Sequence, residues 1–70
     1  MKANVKELMM NAKAALAKGN KDVASDNLNT GIVVLSRLTQ EGETHTEGAS
    51  VNRWKERFWF ELESNDLMED

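Results

Sequence analysis

From Val5 the apolar positions recur at Val5, Leu8, Met9, Ala12 and Leu16, three or four residues apart, with Lys6, Glu7, Asn11 and Lys13 between them. That spacing lays one apolar stripe along a helix. Asn4 is suited to cap its first turn, with Glu7 three residues on to complete a capping box, and Gly19 followed by Asn20 supplies a left-handed residue to end it. The pattern predicts a helix over about residues 5–18. A second stripe, Ala24, Leu28, Gly31, Ile32, Leu35 and Leu38, predicts a helix over about residues 22–40, capped by Asn20 or Asp22. A third, Val51, Trp54, Phe58 and Leu62, follows Ser50, another suitable cap. Gly31 interrupts the second stripe at a cost of roughly 1 kcal/mol relative to Ala, which points to close approach of another backbone on that face.

A strand reading competes at two places. Ile32, Val33 and Val34 are β-branched, and Phe58, Phe60 and Leu62 alternate with Arg57, Trp59 and Glu61. Two strands alone are marginal in water, so the helical reading is preferred. The stretch Glu41–Ser50 has two Gly, three acids and no large apolar side chain, and reads as a mobile polar loop. The expected architecture is all-α, a helical hairpin plus a third helix forming a small three-helix bundle over residues 1–64. Residues 65–70 form an acidic tail expected to fray, with Leu67 and Met68 its apolar anchors.

Leu8 and Ala12, then Gly19, Asn20, Ala24, Leu28 and Ile32, fall where a tetratricopeptide-type hairpin places its packing residues. Residues 5–40 thus resemble a single hairpin of that family. Asn11 and Lys21 stand where the motif prefers a large apolar residue and an aromatic, and its closing Pro is missing. Arrays of such hairpins bind peptides, but one hairpin cannot form their groove, so the resemblance implies helical packing more than function.

Seventy residues make one small domain with a thin stability margin, and the lack of Cys removes disulfides, thiolate nucleophiles and Cys-based zinc sites. A reducing cytoplasm fits that usage, and no apolar run is long enough for a membrane span. The net charge of -3 conceals segregation: residues 1–21 carry +4, residues 22–50 carry -4, residues 51–60 carry +2 and the last ten -5. A polyanion-binding chain would show a basic excess, so nucleic acid is not the favoured partner.

Chemistry has few candidates. His45 lies in the polar loop between Glu43 and Glu47, where a solvated histidine is the default and a metal site or a weak hydrolase is the competing reading. Ser25, Ser36, Ser50 and Ser64 have no base nearby in sequence, and the four Gly form no phosphate-cradling pattern. The chain is therefore expected to be non-enzymatic, with no cofactor and no metal.

What remains is a surplus of apolar side chains. At roughly 100° per residue, Phe60 falls opposite the third stripe, Arg53, Arg57 and Phe60 share the outward face at i, i+4 and i+7, and Trp59 sits at its flank. Val33 lies opposite Leu28 and Leu35, and Met10 is displaced from Leu8 and Met9. All four aromatic residues lie between Trp54 and Phe60. Aromatics with Arg are enriched in protein contacts. The sequence thus points to a protein-binding module, an adaptor, regulator or inhibitor, with Arg53, Arg57, Trp59, Phe60, Val33 and Met10 facing another protein or a second copy. Two alternatives stand beside it: the tail folding back over Trp59 and Phe60, and nucleic-acid binding through Lys2, Lys6 and Lys13 with Arg53 and Arg57.

Overall fold

The structure, a computed structural model, describes residues 4–68. Three helices, α1 (Val5–Ala17), α2 (Lys21–Gln40) and α3 (Val51–Ser64), follow in order, and between the last two lies a hairpin of β1 (His45–Thr46) and β2 (Ala49–Ser50). The all-α hairpin plus third helix is the architecture present, and the strand reading of residues 32–38 and 57–62 is excluded because both segments are helical.

Each helix begins at an oxygen-bearing side chain. Asn4 Oδ1 accepts from the Glu7 amide at 2.9 Å, Asn20 Oδ1 from Val23 at 3.3 Å, and Ser50 Oγ from Arg53 at 3.1 Å. All three also end in one way, with a left-handed residue followed by a 6→1 backbone bond. Gly19 (φ 76°) is followed by Asn20 N–H to Ala15 O at 2.8 Å, and Gly42 (φ 86°) by Glu43 N–H to Leu38 O at 2.9 Å. At the third terminus Asp66 (φ 55°) takes the position Gly holds elsewhere, and Leu67 N–H donates to Leu62 O at 2.9 Å. The bend turns Leu67 onto the core, where it is half-buried.

The core gathers Val5, Met9 and Ala12 from α1, Leu28 and Leu35 from α2, and Val51, Trp54, Phe58 and Leu62 from α3. The α3 stripe is buried as its spacing predicts. In α1, Ala15 is buried and Leu16 only half-buried, a small rotation of the expected face that lets α1 approach α2 on its alanines. At Gly31 the neighbour is not a backbone, as expected from sequence, but the Phe58 ring, which fills the space a Cβ would need.

The polar stretch before α3 is ordered, which corrects its reading as a mobile loop. His45 pairs with Ser50 and Thr46 with Ala49, and the two-residue turn between them places Glu47 (φ 49°) and Gly48 (φ 82°) in the left-handed region. This is the sign pattern of a type I′ hairpin turn, whose twist matches that of the strands. Two strands of two residues do not hold themselves together. The hairpin is fastened instead by its neighbours: Glu47 Oε1 and Oε2 accept from the Val5 and Lys6 amides, each at 3.0 Å, and Thr46 O accepts from Trp54 Nε1 at 3.2 Å.

Helix α2 is the shared partner. It packs along both α1 and α3, whereas α1 and α3 make almost no backbone-level contact with each other. Because the hairpin touches the first residues of α1 and leads directly into α3, those two helices start at the same end and run alongside one another. No helix among the described residues is long and apolar enough to cross a membrane.

Candidate functional site

The gap between α1 and α3 is a groove. Its floor is Met9 and Trp54, both members of the core, and its apolar edges are Met10 on α1 and Phe60 on α3. Met10 is 61% and Phe60 66% exposed, so most of each side chain's surface meets solvent. Two helices held apart by a third cannot cover one another's flanks, so these two side chains remain in solvent although each sits only one or two positions from a core residue.

Charge frames the apolar strip. Lys6, Lys13, Arg53 and Arg57 line the groove against two carboxylates, Glu56 and Glu61. The Arg57 guanidinium carbon lies 5.4 Å from the centroid of the Trp54 ring, a cation–π distance, and Trp54 in turn packs on Phe58 with ring centroids 6.2 Å apart and planes tilted by 45°. With its Nε1 bonded to Thr46 O, Trp54 is fixed at both its polar and its aromatic end. The groove floor is therefore built before any partner arrives, which lowers the entropic cost of binding.

The residues singled out from sequence divide into three places. Met10, Arg53, Arg57 and Phe60 meet in the groove, although Met10 and Phe60 lie 50 positions apart in the chain. Trp59 is elsewhere. It is 41% exposed and lies beside Asn29, Leu62, Leu67 and Met68, so the chain beyond α3 reaches Trp59 but leaves Phe60 open. Val33, 58% exposed, sits on the outer face of α2 with Asp26, Asn29 and Thr30. The residues expected to face a partner thus fall in a groove and in two further spots, around Trp59 and Val33, that adjoin at Asn29. Lys6 and Lys13, expected to serve an alternative function, line the groove as well, and Lys2 lies outside the described residues.

His45 is exposed, with Nδ1 3.0 Å from Thr44 Oγ1, and the Glu47 carboxylate is spent on the α1 amides. Among the described residues no group of three His, Asp or Glu side chains is arranged to hold a metal ion. Sequence reasoning missed Lys6 and Lys13 as companions of Phe60, and missed Glu47 as the tie between α1 and the hairpin. Neither relation has a local signal, since each joins positions more than 40 residues apart.

No family model, no characterised protein and no solved structure matches this chain. The hairpin resemblance of residues 5–40 rests on its packing residues alone.

Proposed function

We propose that this protein is a small non-catalytic binding module whose working surface for another protein is the groove between α1 and α3. The observation that carries the reading is the pairing of Met10 and Phe60, both in solvent, across a rigid apolar floor and among Arg and Lys side chains. Central apolar anchors surrounded by Arg are the composition of energetic hot spots. A second copy is the weaker candidate for partner. A two-fold pair would bring the same groove against itself, setting one net positive strip against another.

A photo-crosslinking residue at position 60, compared with one at position 33, tests this in cells that make the protein. A crosslink to a different protein from position 60 and not from 33 is the expected result, with mass unchanged across a light-scattering concentration series. Alanine at Phe60 should then lower affinity for that protein by about 1 to 4 kcal/mol with helix content intact. Unchanged affinity together with lost thermal stability would assign Phe60 to the core and end the proposal.

A second reading has one observation in its favour: Lys6 and Lys13 join Arg53 and Arg57 in one groove, as a phosphate backbone would require. Glu56 and Glu61 in the same groove, and the net charge of -3, oppose it. It predicts affinity for oligonucleotides that falls steeply with salt.

A further inference from the structure

Resting on the groove-binding reading above, we infer that the occupant is an acidic amphipathic helix of the partner protein, lying antiparallel to α1 and α3 and completing a four-helix arrangement. Four features of the groove lead there. Both its walls are helices, and their backbone amides and carbonyls are already bonded within each helix. An extended peptide laid between them would find no strand edge to pair with and would bury its own amides unbonded. A helix brings its backbone already satisfied.

Length agrees with this. The groove follows α1 from Lys6 to Lys13 and α3 from Arg53 to Glu61. At 1.5 Å per residue each wall spans on the order of 11 Å, two helical turns. Two turns accommodate an i, i+4, i+7 triplet of apolar anchors, enough to cover Met10, Trp54 and Phe60 together.

Direction follows from the ends. Lys6 and Arg53 stand at the end where both α1 and α3 begin, although the Glu47 carboxylate already caps the first amides of α1, and at the other end Lys13 shares the groove with Glu61. The C-terminal end of an incoming helix, partially negative, meets the two cations Lys6 and Arg53 where α1 and α3 begin, and a cation together with a carboxylate at the other end. The resulting neighbour relations are those of an up-down four-helix bundle, with the newcomer diagonal to α2.

Charge selects the sequence. Four cations against two carboxylates favour Asp and Glu flanking the occupant's apolar stripe and disfavour Lys and Arg.

A display library of randomised helical 14-residue peptides, selected on the full chain, tests the inference. The expected yield is peptides with an apolar stripe at i, i+4 and i+7 flanked by Asp or Glu, whose binding to the Phe60→Ala protein is at least roughly tenfold weaker. Since both lysines are exposed, Lys6→Glu with Lys13→Glu provides a second variant that leaves the core untouched and should weaken the same peptides at least roughly tenfold. Basic or stripe-free peptides that still depend on Phe60 would overturn the acidic helix and leave the protein-binding reading standing. Selected peptides indifferent to Phe60→Ala, or none enriched at all, would overturn the inference outright, as would a short oligonucleotide that displaces every selected peptide at physiological salt. A partner crosslinked at position 60 through a neutral or extended segment would sink the acidic helix alone.

Discussion

The Phe58 ring occupies the volume that a side chain at position 31 would require: a Cβ built on Gly31 would come within 2.7 Å of three of its ring carbons. The absence of a side chain in the middle of α2 is what allows the largest fully buried residue of the protein to lie against that helix. Gly31→Ala gains helix propensity of roughly 1 kcal/mol yet forces the ring aside, so a net loss of about 1 to 2 kcal/mol is expected in urea unfolding. Combining it with Phe58→Leu should cost less than the sum of the two changes, and a strictly additive cycle would show that the contact is not the cause.

Neighbouring rings in α3 should respond in opposite ways. Phe58 is fully buried and Phe60 largely exposed. Phe58→Ala is expected to cost about 3 to 5 kcal/mol, whereas Phe60→Ala should stay within about 0.5 kcal/mol of the parent. Thermal unfolding of the two variants decides it.

Glu47 holds a strained conformation, φ 49°, while its carboxylate accepts from two amides of the first turn of α1. Removing the carboxylate in Glu47→Ala keeps the strain and loses both bonds, for an expected cost of about 1 to 3 kcal/mol. Glu47→Gly loses the bonds but relieves the strain, and should fall between Ala and the parent. Hydrogen exchange at the Val5 and Lys6 amides should accelerate in both variants. Exchange that stays as slow as in the parent would show that the tie does not protect α1.

The third helix ends on Asp66 in the left-handed region where the other two end on Gly. Asp66→Gly should therefore stabilise the chain by about 0.5 to 1 kcal/mol, the opposite of the usual effect of Gly, and the reverse change Gly19→Ala should destabilise it by about 1 kcal/mol. Calorimetry on both variants checks the signs.

How much of this was legible in the sequence depended on range. The stripe Val51, Trp54, Phe58 and Leu62 could be read without error, because one period over four turns leaves a single buried face. The exposure of Met10, Val33, Trp59 and Phe60 followed from the same counting. Their grouping did not, since the angle each helix presents to its neighbour depends on packing against α2. The hairpin escaped notice for another reason. Strands of two residues show no periodicity, Glu-Gly is a weaker turn signal than Asn-Gly, and the bonds that hold the turn reach 41 and 42 positions back along the chain.

One mechanical consequence comes from the arrangement of α1 and α3 around α2. Their starting ends are pinned together by Glu47 and the hairpin, and their far ends, near Lys13 and Glu61, have no such pin. The pair is built like a fixed fork: the hairpin joins the tines at their base, and toward the tips Ala12 on one and Phe58 and Leu62 on the other are sealed inside, so the slot keeps its width whatever enters it.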